Sequence, residues 1–399
     1  MKAYKFRLYP SAEQERKLNN QIELCRHLYN GLLEQRITAH KMGKKIGYVK
    51  QANELPELRR EMEDYREIHS QVLQDVARRV DRAYQNFYRR VKEKKTGKMQ
   101  KAGFPRFKSM TRYRSLTYTQ SGFKIMENGH LKLSKIGELR MFMHREIEGE
   151  IKTFNISHDS TGKWYASFSV MTGKVANVSE ETGKSVGIDA GLLHLTTMSD
   201  GTVLEPPHFL MKSEKRIRKA QRNLSRRKEG SSNRKKARII LSKQHKKVKN
   251  QRDDFAHKLS NEIVRNNDLI VFEDLNIRGM VKNHHLAKSI VDASWNTLIQ
   301  YTTYKAESAG KLVVSVDPGN TSRTCSRCGW KKESLGLSER TFHCDSCGLD
   351  IDRDLNAAIN IHNLGLIKVG RGTPEVTSVE IGALPARAPL IAEAGSPVR

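Results

Sequence analysis

Four cysteines and three acids hold most of the chemistry that this sequence can do. Cys325-Ser326-Arg327-Cys328 and Cys344-Asp345-Ser346-Cys347 are two CxxC pairs separated by 15 residues, and each is followed by a glycine, Gly329 or Gly348. Two such knuckles can converge four thiolates tetrahedrally on one zinc ion, and the glycines permit the tight turn that closes each knuckle. A redox dithiol needs a single CxxC, so structural zinc is the expected use of this pattern. The fifth cysteine, Cys25, shares a helical apolar stripe with Leu18, Ile22, Tyr29 and Leu32. It is expected in a core and not at a reactive site.

The acids stand at the ends of short apolar runs. Ser185-Val186-Gly187-Ile188 leads into Asp189, with a returning strand expected at His194 to Met198. Asp268-Leu269-Ile270-Val271-Phe272 leads into Glu273, and Asp352-Arg353-Asp354 opens the helical stretch Leu355 to Ile361. One acid at a strand end or a helix start is commonplace. Strand-acid, strand-acid and acid-helix around one sheet can instead hold two divalent ions roughly 4 Å apart for in-line phosphodiester hydrolysis. Carboxylate oxygens suit Mg²⁺ or Mn²⁺ while thiolates take zinc, so the two sites should have different tenants. Asp274, Asp350 and Asp352 compete for the same role. Asp274 would point to the opposite strand face from Glu273, whereas Asp352 and Asp354 both remain open on residue chemistry alone.

Positioning these groups requires several elements. Tyr4, Phe6 and Leu8 alternate on a short strand ended by Pro10, and Ser11 with Gln14 has capping-box spacing for a helix. A second helix covers roughly 70 to 93, with Val72, Val76, Val80, Tyr84, Phe87 and Val91 as its stripe and Arg78, Arg79, Arg82, Arg89 and Arg90 on other faces. After a Gly/Lys-rich loop, Lys95 to Gly103, short alternating runs at Tyr113 to Tyr118, Leu131 to Leu133, Leu139 to Met143, Ile151 to Ile156 and Trp164 to Val170 predict a small antiparallel barrel or sandwich, with turns at Glu127-Asn128-Gly129 and Ser160-Thr161-Gly162. Since the chain opens with a strand, the helices between 11 and 95 read as an insertion into that β unit.

Lysine and arginine number 72 against 44 acids, a formal charge of +28, and neutralising a polyanion is the simplest use of such an excess. Residues 212 to 252 hold 18 Lys/Arg against Glu214 and Glu229, which predicts two basic helices joined at Gly230-Ser231-Ser232 and puts Lys235, Lys236 and Arg238 among the candidate nucleic-acid contacts. No apolar run approaches a membrane span and the opening lacks a signal-peptide stretch, so an intracellular compartment is expected, and five cysteines with four in CxxC pairs fit a reducing one. The residues from 367 to 399 lack periodicity and read as a disordered tail.

GIDAG, VFEDLNIRGM, HHLAKSIVDASW, TSRTCSRCG with CDSCG, and DRDLNAAINI, in that order, resemble the TnpB family of transposon-encoded proteins related to compact type V CRISPR effectors. MKAYKFRLYPSAEQ, AGFPRFKS and GKWYASFSV match as well, and the similarity covers about residues 1 to 366. The resemblance implies a multidomain α+β chain: a wedge-type β-barrel at 1–10 and 96–180 with an inserted helical recognition domain at 11–95, then an RNase H-like (RuvC) α/β nuclease domain at 181–320 and 350–366 carrying basic helices at 212–262, and an inserted zinc ribbon at 321–349. It further implies an RNA-guided DNA endonuclease that binds a guide RNA from the transposon end, recognises a short flanking motif in duplex DNA and cleaves guide-matched target. Base pairing then reads sequence, and the protein reads the flank and the heteroduplex shape. By position, Asp189, Glu273 and Asp354 match the family's catalytic, magnesium-holding acids, which favours Asp354 over Asp352. Cys325, Cys328, Cys344 and Cys347 match its zinc ligands, and Arg340 resembles a basic residue near the scissile strand. The separate transposase of the same element is a further expected partner. The rival expectations are a guided repressor that does not cleave, a transposase acting directly on transposon ends, and a zinc-ribbon RNA-binding protein without chemistry.

Overall fold

Tyr4, Phe6 and Leu8 are buried on one face of β1 (Lys2–Tyr9), as their period-two spacing predicts. The computed structural model that shows this describes residues 1–96, 102–172, 181–336 and 338–370, the side chain of Arg278 excepted. The chain divides into two compact units, Met1–Lys174 with Arg238–Ser242, and Val175–Ala237 with Lys243–Arg399.

In the first unit Ser11 caps α1 (Ala12–Lys41) through a full capping box with Gln14. Helices α2 (Tyr48–Glu61) and α3 (Ser70–Lys95) follow. The β elements are β2 (Ser115–Tyr118), β3 (Phe123–Ile125), β4 (Leu131–Leu133), β5 (Gly137–Phe142), β6 (Glu150–His158) and β7 (Trp164–Met171). They form one antiparallel sheet in the order β2-β6-β7-β1-β5-β4-β3. Because β1 is the central strand and β2 an end strand, α1 to α3 are an insertion within a single sheet. The sheet curls towards closure: Tyr118 on β2 and Phe123 on β3, at opposite ends of the strand order, stand 6.4 Å apart over Phe154 and Phe168. Cys25 is fully buried in the same core, and burial pushes its thiol up to about 12, as an inert packing residue requires.

Several details differ from the expectation. The stripe of α3 leaves the core at Tyr84, so Phe87 is half-buried and meets Phe104 instead, and Val91 is also only half-buried. Arg79 turns inward, bonding Asp75, Ser115 and Thr117 to tie α3 to β2. Residues 97–101 of the Gly/Lys-rich loop and 173–180 at the expected end of the barrel lie outside the described residues.

The second unit opens with β8 (Ser185–Asp189), β9 (Thr196–Met198) and β10 (Val203–Leu204), then the basic helices α4 (Phe209–Ser225) and α5 (Ser232–Asn266), of which Arg238–Ser242 group with the first unit. Ser231 caps α5 by accepting from the Arg234 amide. Next come β11 (Leu269–Glu273), α6 (Ile277–Met280), α7 (Ala287–Ala293), α8 (Trp295–Ser308) and β12 (Leu312–Val316). The chain continues through β13 (Thr341–His343) and β14 (Asp350–Asp352) to α9 (Arg353–Lys368). The main sheet runs β10-β9-β8-β11-β12, parallel across β8, β11 and β12 and antiparallel across β8, β9 and β10. Every residue of β11 is buried, because helices cover both faces. Ile270 and Phe272 pack with Leu259 and Ile263 of α5 and Leu298 of α8; Leu269 and Val271 pack with Ile361 and Leu366 of α9.

Two glycines set how closely α9 approaches that sheet. A Cβ on Gly187 would stand 2.3 Å from the Ala358 carbonyl oxygen, and one on Gly365 would stand 2.2 Å from Val271 Cγ2. Helix α9 continues to Lys368, two residues into the segment expected as tail, and 371–399 lie outside the described residues.

Candidate functional site

The two knuckles converge. The Sγ atoms of Cys325, Cys328, Cys344 and Cys347 all lie within 4.8 Å of one another, with Cys325–Cys347 at 3.7 Å and Cys328–Cys344 at 3.5 Å. A disulfide would need about 2.0 Å, whereas four thiolates around an ion at about 2.3 Å stand about 3.8 Å apart. The knuckles repeat one geometry: the Cys325 amide donates to Trp330 O and Gly329 to Cys325 O, while the Cys344 amide donates to Leu349 O and Gly348 to Cys344 O. Both glycines are left-handed, φ +75° and +69°, as such turns demand. Phe342 and Leu349 fill the small core beneath.

The acids gather at one end of the main sheet. Asp189 ends β8 and Glu273 ends β11, the parallel neighbour whose Phe272 pairs with Ile188. Asp354 lies in the first turn of α9. Burial pushes the Asp189 carboxyl up to about 8, helped by the negative charges of Glu273 and Asp354 and opposed by the Ala190 amide and Arg353. Burial likewise raises Glu273, against a hydrogen bond from Thr321. A cation would relieve both. Among the described residues only the four cysteines bring three or more ligand atoms within 4.8 Å, so the three carboxylates are not all drawn together that closely.

The competitors have other occupations. Asp352 is the N-cap of α9, accepting from the Asp354 and Leu355 amides at 2.9 and 3.0 Å. Asp350 pairs with His343 Nδ1 at 2.7 Å across β13 and β14, and Asp274 is exposed.

Sequence reasoning missed the polar residues that join the two clusters. Thr321 Oγ1 donates to Glu273 Oε1 at 2.7 Å. Asn360 Nδ2 donates to the carbonyls of Thr321 and Thr324 at 2.8 and 2.6 Å, and Asn356 donates to Thr324 O and accepts from the Ser326 amide at 2.8 and 2.9 Å. Asn356 and Asn360 are four apart and buried, so two amides on the apolar face of a helix were the available signal. The tryptophan of HHLAKSIVDASW is structural: Trp295 Nε1 donates to Leu195 O, and Asp292 pairs with Arg252 of α5 at 2.7 Å. Lys235, Lys236 and Arg238 are exposed on α5, and Arg340 is exposed just before β13.

Three family profiles match: a probable transposase family, OrfB_IS605, over 167–284; the Cas12f1-like TNB domain over 295–361; and a helix-turn-helix domain over 1–45. The last region is here one strand and one 30-residue helix. A Streptomyces pristinaespiralis protein with the provisional name RNA-guided DNA endonuclease is 36% identical, over 92% of this chain and 89% of its own length. InsQ of Escherichia coli K12, provisionally named for the same activity, is 32% identical over 90% and 91%. The fold is similar to Cas12f1, solved by cryo-EM with sgRNA and target DNA, at TM-score 0.55 and 15% identity over 88% of this chain and 82% of that one.

Proposed function

Since the chain belongs to the TnpB family of OrfB-type proteins, we propose that it is a metal-dependent RNA-guided DNA endonuclease that hydrolyses guide-matched DNA. The observation that supports this reading is that Asp189 and Glu273 end neighbouring parallel strands of a sheet covered on both faces, with Asp354 near enough to raise the Asp189 carboxyl. A repressor needs no such buried charge, and the family's relatives over nearly the whole chain are named as nucleases. In this reading the first unit supplies a wedge-type barrel with its helical recognition insertion, and the second supplies an RNase H-like (RuvC) nuclease domain with an inserted zinc ribbon.

The four thiolates suit a structural Zn²⁺, and the carboxylates suit Mg²⁺ or Mn²⁺. Divalent ions at the acids would activate water and stabilise the leaving oxygen of the scissile phosphodiester. The chain's own contribution is to hold those oxygens rigidly: Asp189 and Glu273 by adjacent parallel strands, Asp354 by a helix whose start is fixed by the Asp352 cap. The exposed Lys235, Lys236 and Arg238, and Arg340 inside the ribbon, are the candidate contacts to phosphates of guide RNA or of double-stranded target DNA. Work on the element's DNA would be done in the prokaryotic cytoplasm, alongside the separate transposase of the element. No helix among the described residues is long and apolar enough to cross a membrane.

The test is Mg²⁺-dependent cleavage of a plasmid library carrying a guide-matched target beside randomised flanking bases, with protein co-expressed with its transposon-end RNA. Cleavage that needs the RNA and selects a defined flank is expected. RNA-dependent binding without cleavage would give the repressor reading, and recognition of transposon ends without RNA the transposase reading.

A further inference from the structure

We infer that Thr321, held by Asn360, is a positioning residue for the divalent-metal site, through which the first zinc knuckle sets the orientation of the Glu273 carboxylate. The inference rests on the reading of Asp189, Glu273 and Asp354 as ligands of divalent metal.

Glu273 is the last residue of β11 and only 8% exposed. A carboxylate in such a place has two oxygens and a soft terminal torsion, so something must fix which oxygen faces the other acids. The bond from Thr321 occupies Oε1, leaving Oε2 as the oxygen without that partner. Thr321 is itself 4% exposed, and its hydroxyl also lies 3.3 Å from the Pro318 carbonyl. One proton cannot serve both acceptors fully, and the shorter contact, to Glu273, takes it.

Thr321 is in turn fixed from behind. Its carbonyl and that of Thr324 both receive Asn360 Nδ2, and Asn356 grips Thr324 O and the Ser326 amide, a residue lying between Cys325 and Cys328. Both asparagines project from α9, the helix that begins with Asp354. One stretch, 321–326, therefore joins a zinc ligand, the helix of one acid and the side chain of another. The partners that orient metal-binding carboxylates typically change affinity 10–100-fold when removed.

Thr321→Val keeps the shape and deletes the donor. In zinc-loaded full-length protein, Mn²⁺ binding followed by electron paramagnetic resonance should weaken about tenfold, within the range typical of such partners. The Mg²⁺ concentration for half-maximal cleavage should rise in parallel, with zinc content unchanged. Thr321→Ser should restore both readings. Asn360→Ala should weaken Mn²⁺ binding as well, and the double variant with Thr321→Val should fall little further, as residues acting through one contact require. Parental Mn²⁺ and Mg²⁺ dependence in Thr321→Val would overturn the inference while leaving the nuclease reading intact. Unchanged Mn²⁺ binding and cleavage in Glu273→Gln would instead overturn the divalent-site reading itself.

Discussion

Asp189 ends β8 with its carboxyl pushed up to about 8 by burial and by the charges of Glu273 and Asp354. In metal-free protein this is a destabilising group. Its folded-state value lies above the ordinary 3.8, so the folded state holds the proton more tightly than the unfolded chain does, and stability is lost as pH rises from about 4 to about 8. Asp189→Asn removes the charge at nearly constant volume. Metal-free Asp189→Asn should therefore melt a few degrees above the parent at pH 8, with the gap closing towards pH 4, while guided cleavage disappears. Thermal scans across that range in the presence of chelator check the first half, and an equal midpoint at every pH would show that Asp189 is not under the strain described. The residue types and spacing were legible in the sequence down to the strand ends. Asp352 against Asp354 was not, because two acids two positions apart at a helix start are distinguished only by which one turns back to the amides, and that is a backbone matter.

Helix α9 lies so close on the sheet that Gly187 and Gly365 have no room for a methyl group. The two sites differ in what would have to move. At Gly187 the obstacles are backbone atoms, Ala358 O and the His362 amide, so α9 itself must lift; at Gly365 the obstacle is the Val271 side chain. Gly187→Ala should thus destabilise the second unit more than Gly365→Ala does, with the latter at about 1–3 kcal/mol. Chemical denaturation of the two variants gives the order, and the reverse order would contradict the close packing. Zinc removal acts on a neighbouring element. The hairpin of β13 and β14 rests on a small core, Phe342 and Leu349 with the partly buried Trp330, Leu335 and Ile351 besides the cysteines, so a chelator strong enough to strip zinc should unfold it and lower the melting midpoint. Cys325→Ser with Cys328→Ser should give the same loss without chelator; zinc content equal to the parent's would refute the four-thiolate site. At this scale strands with clean alternation were readable. Helix α2 was not picked out, having Pro56 inside it and only Gln51 and Leu55 buried, and neither was the three-residue β3, which is too short to show a period.

Over the whole molecule the charge of +28 sets the terms of any nucleic-acid contact, and its concentration on α4 and α5 was the plainest signal in the sequence. What composition could not convey is which of those residues are already committed. Arg252 is bound to Asp292, and Arg218 and Lys288 share Glu214. Lys235, Lys236 and Arg238 stand exposed on α5. If these three meet phosphates, each releases counterions on binding, and the dependence of log affinity on log salt should lose about 0.7 in slope per residue for single-stranded RNA and about 0.9 for duplex DNA. The triple alanine variant should then show a slope shallower by about 2 to 3, with its binding defect largest at low salt and fading as salt rises. Because the side chains are exposed, the melting midpoint should stay within a degree or two, about what surface substitutions of up to 0.5 kcal/mol allow. Filter binding of guide RNA between low and moderate salt reads the slope directly. An unchanged slope would mean that α5 turns a different face to the polyanion, and the same titration with Arg218→Ala and Lys288→Ala, which also frees Glu214, would show whether the Glu214-paired cations are drawn into binding instead.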